Sequence, residues 1–403
     1  MRLSTALTYT FGVDGIAKAQ EALLRTQQQI ATGRRVSTPA DDPVAAAQAL
    51  AIDQAKGRVG QYTTNIGAAK DSLAMHESVL EQITSLLQDV RTLAVNAGNG
   101  TLANSDRSAI GTDVAGRLQQ LIGLANSKDG DGSYMYGGFE TAGQPFVATP
   151  TGVAYTGDQG QRVLEVAPAR SLAITENGAA LFQQIRNGNG SFAASAATTN
   201  AGTGVIGAGQ VADPAAMTGH HYELQFGVAA GVTTYSVFDV TAGATVSAGN
   251  AYNPGTAITV AGMQTTISGA PAAGDRFALV PSTASSVFAT LANLVTALQT
   301  PATGSGGSAR VANDVAASLS DIDQALDHML TVRADVGARL RELDSLATGN
   351  DDRQLRYDQT LSSLRDLDYN RALSEFAKQQ LALQAAQQSF AKIAGLSLFD
   401  YLK

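Results

Sequence analysis

Five short stretches hold residue types whose spacing could do chemistry. Gly202-Thr203-Gly204-Val205-Ile206-Gly207 has the glycine spacing of a dinucleotide-binding turn. That chemistry needs a strand before it, a helix after it and an acid about twenty residues on. Here the motif lies in a Gly/Ala/Thr/Asn tract, residues 187–219, with no helical period behind it. Asp129, Asp131, Ser133 and Glu140 stand at positions 1, 3, 5 and 12 of a calcium loop, but position 6 is Tyr134, where the loop requires glycine. The stretch reads instead as a turn before a strand-like Tyr134–Phe139. His76-Glu77 lacks a second histidine four residues after the first, and His220-His221 lacks a third ligand. His76 reads as a seam or surface residue. Ser389-Phe390-Ala391-Lys392 fits S-x-x-K without its S-D-N and K-T-G companions. The chain has no cysteine, which excludes thiolate nucleophiles, disulfides and sulfur metal sites. The reading is no enzyme, no cofactor and no metal.

The elements that carry these residues are more informative. From Asp42 onward Ile52, Val59, Ile66, Leu73, Leu80 and Leu87 recur every seventh residue, which predicts a coiled-coil-like helix of about 50 residues. Tyr9, Ile16, Leu23 and Ile30 form an upstream series ending at Gly33. Between them Pro39, Asp41, Asp42 and Pro43 stop one helix and start the next, with Asp42 as cap and Pro43 at the first helical position. A third, weaker helix is expected from Asn104 to about Asn126. At the other end Leu319, Ile322, Leu326, Met329, Val336, Leu340 and Leu343 repeat the pattern. Gly349-Asn350-Asp351 reads as a break, and Tyr369, Phe376, Leu383 and Phe390 resume. These aromatics mark the last helix as the best-anchored stripe. Antiparallel pairing of first with last helices follows. Between them Tyr222–Phe226, Tyr235–Val237, Ala257–Val260, Thr265–Ile267 and Phe277–Val280 read as strands with Gly-rich turns.

The expected fold is α+β: elongated antiparallel helical layers from both termini with an inserted antiparallel β-rich domain. Residues 1–41 with 355–403 would form a terminal coiled-coil core, 42–140 with 302–354 a helical bundle, and 141–301 the outer insertion. The length of 403 residues suits two or three domains. Net charge is −8, so nucleic acid is not an expected partner. No run approaches the roughly 18 apolar residues of a membrane span, and no cleaved signal is apparent at the start. From Tyr369 to Leu402 the strongly charged residues are only Arg371, Glu375, Lys378, Lys392 and Asp400. Gln and Ser fill the remaining polar positions, and they pack against other helices at less cost than unpaired charges. This points to an assembly interface on Tyr9, Ile16, Leu23, Ile30, Tyr369, Phe376, Leu383 and Phe390, continued by Ile393, Leu398 and Phe399. The alternative is a helix packed only within its own monomer.

Thr32-Gly33-Arg34-Arg35-Val36-Ser37-Thr38-Pro39-Ala40-Asp41-Asp42-Pro43, Tyr134-Met135-Tyr136-Gly137-Gly138 with Pro145-Phe146, Val336-Gly337-Ala338-Arg339-Leu340, and Asp368-Tyr369-Asn370 through Gly395-Leu396-Ser397-Leu398-Phe399-Asp400-Tyr401-Leu402 resemble the flagellin family. The ending and the Tyr-Met-Tyr-Gly-Gly stretch resemble its hook–filament junction branch. The resemblance implies a structural, motility-related protein of the bacterial flagellum, outside the cell, exported unfolded by the flagellar type III route with a chaperone. It also implies a ring of copies between hook-associated protein 1 and flagellin. A filament flagellin is the alternative. An enzyme site in the insertion would rest only on the permissiveness of the fold, since no site is found, while an adhesive or ligand-binding surface in residues 145–300 stays open as an alternative.

Overall fold

The computed structural model describes residues 5–150, 152–304 and 306–399, and for Thr5, Ala6, Thr8 and residues 393–399 the helical backbone alone. Three helices open the chain: α1 (Thr5–Thr32), α2 (Pro43–Ala97) and α3 (Asn104–Ala125). Two hairpins follow, β1 (Phe146–Thr149) with β2 (Gly152–Tyr155) and β3 (Val163–Ala167) with β4 (Arg170–Ala173), then the short α4 (Gly178–Gln183). Next come β5 (Ile185–Arg186), β6 (Phe192–Ala196), β7 (Val205–Ile206), β8 (Gln210–Val211), β9 (Tyr222–Ala229), β10 (Val232–Asp239), β11 (Ala244–Ala251), β12 (Ala257–Val260), β13 (Met263–Ser268), β14 (Arg276–Pro281) and β15 (Ala284–Ser285). The chain closes with α5 (Val287–Gln299), α6 (Gly307–Arg365) and α7 (Tyr369–Phe399). Long helices at both ends and antiparallel sheet between them are the expected fold class. The residues divide into two compact units, Met1–Thr64 with Ser345–Lys403, and Asn65–Asp344.

In the larger unit the α2 heptad is buried where its period is strictest: Ile66, Ala69, Leu73, Leu80, Ile83, Leu87 and Val90 form core. Ile322, Met329, Val336 and Leu343 of α6 are buried likewise. α5 packs on α3, and a side chain at Gly111 would meet Leu298 and Gln299 at 3.1 Å. α5 was not expected. Its Val287, Leu291, Leu294 and Leu298 follow a helical period, but they lie within a stretch read as strands.

The sheets carry a separate core. One has strand order β11-β10-β9-β14-β6 and the other β12-β13-β7, with β8 also on β13. Tyr222, Leu224 and Phe226 alternate inward along β9 and join Phe192, Phe277, Ile258 and Ile267. The strands expected from Tyr222 onward are present, but the strand-like Tyr134–Phe139 is a turn segment with only an isolated bridge from Tyr134 to Lys128, and β6, β7 and β8 lie in the tract read as irregular. The Gly202–Gly207 motif is consumed there by structure. Asp275 accepts from Gly202 N, Asn313 Nδ2 donates to Gly204 O at 3.0 Å, and Ile206 N donates to Asn313 Oδ1 at 2.8 Å.

Two expectations are corrected. Gly349-Asn350-Asp351 does not break a helix, because α6 runs through it with Asn350 fully buried and held by Arg353. Packing outweighs the weak helix preference of Gly and Asn. The break lies at Asp366–Asp368. The best-anchored aromatics are also not on α7. They are Tyr136, Phe146, Phe182 and Phe288, fully enclosed in one cluster with ring centroids 5.1–5.6 Å apart, whereas Tyr369 is 51% exposed.

Candidate assembly interface

In the smaller unit, α1 and α7 pair antiparallel. Tyr9 near the start of α1 meets Phe390 near the end of α7, ring centroids 5.0 Å apart. Tyr369 at the start of α7 reaches Gly33 at the end of α1. Two glycines permit this approach. A Cβ at Gly12 would lie 2.6 Å from the Phe390 ring, and Gly33 takes φ +68° with the Tyr369 hydroxyl 2.9 Å from where its Cβ would be.

The turn after α1 braces the turn before α7. Leu367 N donates to Gly33 O at 3.0 Å, Arg35 N to Arg365 O at 2.8 Å, and Arg35 Nη2 to Leu364 O at 2.7 Å. Asp42 Oδ1 accepts from Ala45 N at 3.0 Å, the cap expected ahead of Pro43. Asp41 has a role that the sequence did not reveal. Its Oδ2 accepts from Ser37 N and from Thr38 N and Oγ1, and its Oδ1 pairs with Arg25 at 2.7 Å. Both carboxyls are held below the usual range, Asp41 chiefly by the Thr38 amide and Asp42 chiefly by the Ala45 amide. Pro39 lies in the turn between Thr38 and Asp41. Asp368 caps α7 through Arg371 N.

Ile16, Leu23 and Ile30 on α1 and Phe376, Leu383 and Phe390 on α7 are half-buried, whereas Tyr9 and Tyr369 are more exposed. The heptad stripes therefore fall on the side of each helix that its partner partly covers. The side chains of Ile393, Leu398 and Phe399 lie outside the described residues. The strongly exposed apolar side chains are others: Phe11 at 66%, Leu24 at 64% and Leu381 at 68%, with Leu7, Val13 and Leu373 about half exposed. They lie off the heptad seam. Their signal is an apolar residue where a solvated helix would carry charge. Gln379 Oε1 is enclosed without a partner among the described residues, consistent with amides filling the polar positions of a packed helix.

The other chemical candidates resolve as structure. Asp129 Oδ1 accepts from the amides of Asp131 and Ser133, closing a turn. His220 Nδ1 lies 2.7 Å from Asp239 Oδ2. His76 is buried, not at a surface. Among the described residues no group of three or more His, Cys, Asp or Glu could hold a metal ion, and no helix is long and apolar enough to cross a membrane.

The pattern of the bacterial flagellin N-terminal helical region matches residues 4–141, and that of the C-terminal helical region matches residues 319–402. The flagellar hook-associated protein 3 of Escherichia coli K12 is 30% identical over 407 aligned residues, covering 100% of both chains. The flagellar junction protein FlgL of Legionella pneumophila superposes with TM-score 0.72 at 31% identity, covering 79% of this chain and 100% of that one. FlgL of Xanthomonas campestris superposes with TM-score 0.71 at 34% identity, covering 77% and 99%.

Proposed function

The chain belongs to the flagellar hook-associated protein 3 family of flagellin-like proteins, and from that premise we propose how it works. It is a structural adaptor of the bacterial flagellum at the junction of hook and filament. The observation that carries this reading over a filament flagellin is the extent of the match. The hook-associated relative aligns across the whole chain, insertion included, whereas a Listeria flagellin aligns over 32% of it.

Copies of the chain associate into a ring through α1 and α7. Within each copy the stripes Ile16, Leu23, Ile30 and Phe376, Leu383, Phe390 hold the pair together. The exposed Phe11, Leu24, Leu373 and Leu381 meet neighbouring copies, where burial of apolar surface supplies the driving force, ~25 cal/mol per Å². Residues 1–41 with 355–403 form the core layer of that ring, 42–140 with 302–354 the surrounding bundle, and 141–301 the outward insertion. Hook-associated protein 1 lies below and flagellin above. The chain reaches this place unfolded through the type III channel, escorted by an export chaperone and without a cleaved signal. What supports the packing scheme is the exposed apolar face on helices of low charge; the partners follow from the family.

The test is the position of a tagged copy on flagellated cells. The expected result is one spot at the distal end of each hook, with filament lost when the gene is deleted. Label spread along the filament would overturn the adaptor reading in favour of a filament flagellin.

A further inference from the structure

His76 lies in the middle of α2 with 1% of its surface exposed, and neither ring nitrogen has a hydrogen-bond partner among the described residues. Its ring meets Tyr136 at 80° and 5.2 Å between centroids. Tyr136 is itself fully enclosed, and its hydroxyl has no partner among the described residues. Tyr136 belongs to the segment that leads from α3 into the insertion. That segment is pinned locally by Met135 N to Ser127 O, by Tyr134 N to Thr141 O, and by the Tyr155 hydroxyl to Tyr136 O.

Three charged groups act on the ring, Asp129, Arg162 and Arg339. Asp129 comes from the lead-in segment and Arg162 from the stretch before β3, 3.4 Å apart. Glu176, before α4, is engaged by Arg339 of α6. Glu77, beside His76 on α2, is held by Arg333 of α6 at 2.6 Å. Asp129, the carboxylate that acts on the ring, therefore already has a guanidinium partner, as do Glu176 and Glu77, although Glu77 Oε2 is enclosed without a partner among the described residues. A neutral imidazole leaves one N–H unmatched, whereas an imidazolium would bring two donors and a full charge into the enclosure, next to Arg162 and Arg339. Burial, then Arg162 and Arg339, opposed by Asp129, holds the ring down to about 4.

We propose that His76 and Tyr136 form a proton-sensitive latch between α2 and the lead-in segment, closed while the imidazole is neutral and opened when it takes up a proton. The sign follows from the burial. A ring that resists protonation when folded but accepts a proton near 6.5 when released binds more protons in the open state. The latch is therefore fully closed above about pH 6.5 and weakens as pH falls toward 4, by about tenfold in its opening constant per pH unit. Tyr136 is the piece that must move, because it is the ring in contact with His76 and its hydroxyl makes no hydrogen bond among the described residues, so the packing against Phe182 is what opposes its displacement.

The test uses the full-length protein and two measurements across pH 7 to 4. Carbon-bound proton NMR of the four histidine rings, assigned with single substitutions, gives the protonation of each. Amide hydrogen exchange, corrected for intrinsic chemistry, gives the protection of residues 134–137. The expected result is a His76 ring that stays neutral to below pH 5, protection at 134–137 that falls about tenfold per pH unit below 6, and loss of that fall in His76→Phe. His328→Gln should leave it unchanged, because His328 rests on Ala180 O outside the enclosure. A His76 ring titrating near 6.5 with protection at 134–137 unaltered would overturn the latch, as would the same fall in a folded His76→Phe. Should that variant not fold, the wild-type pair of measurements decides alone.

Discussion

At Ala230 the backbone takes φ +50°, and Gly231 beside it takes φ +81°, so both central residues of the β9–β10 hairpin are left-handed. The two-residue loop, closed by the Ala229–Val232 pair, is of the primed kind that matches strand twist and prefers Asn-Gly. Alanine meets a steric cost there that asparagine largely escapes. Ala230→Asn should therefore stabilise the sheets by ~1 kcal/mol, read as a higher urea midpoint at unchanged slope. An unchanged or lower midpoint would mean that the turn relaxes to another type. Residue-scale legibility divides along similar lines. The Asp42 cap and Pro43 restart were readable because both act on neighbours in sequence. Asp41's pairing with Arg25 was not, since Arg25 approaches from the preceding helix. His76 falls on the buried seam between Ala69 and Ile83, the first of the two places the sequence allowed it, but nothing local to α2 signals the Tyr136 ring beside it.

At the scale of elements, the α1–α7 pair separates two roles that the heptads alone merge. Phe390 closes the pair against Tyr9 and over Gly12. Phe390→Asp places a carboxylate in that contact and should cost ~3 kcal/mol or more, seen as loss of helical circular dichroism in the terminal pair together with loss of motility. Leu24→Ser with Leu381→Ser alters the exposed faces instead. This double variant should keep the monomer's melting curve, since exposed substitutions stay within ~0.5 kcal/mol each, yet fail to be incorporated at the hook tip. Normal swimming by the double variant would show that these faces do not pack against neighbours. Seams were legible wherever the period persisted, as from Ile66 to Leu87, because burial enforces spacing. The continuity of α6 through Gly349-Asn350-Asp351 was not, since it depends on enclosure of Asn350 rather than on helix preference. Nor was α5, whose period is confined to 13 residues.

For the whole molecule, the question is how much of the insertion the helical body needs. The core of the two sheets is drawn entirely from Phe192 to Leu279, while the aromatic cluster of Tyr136, Phe146, Phe182 and Phe288 draws on neither sheet. The two cores can therefore be parted by a cut between them. β5 and β15 supply the place, since Arg186 pairs with Ala284 and Ile185 with Ser285, bringing the ends of residues 187–283 side by side. A cut at 150–295 would remove Phe182 and Phe288 and open the cluster, whereas excision of 187–283 with a short Gly/Ser linker spares it. The groups uncovered on α6 include Asn313, Ser320, Asp321 and Gln324 together with the small Ala316 and Ala317, so exposure there is mostly of polar or small side chains. The shortened protein should fold with its helical content intact and be incorporated at the hook tip, because the proposed assembly contacts lie on α1 and α7. Secretion at the normal level without incorporation would show instead that the sheets supply a contact the ring requires. Failure to fold would show that the sheets and the helical body share more stability than their separate cores imply.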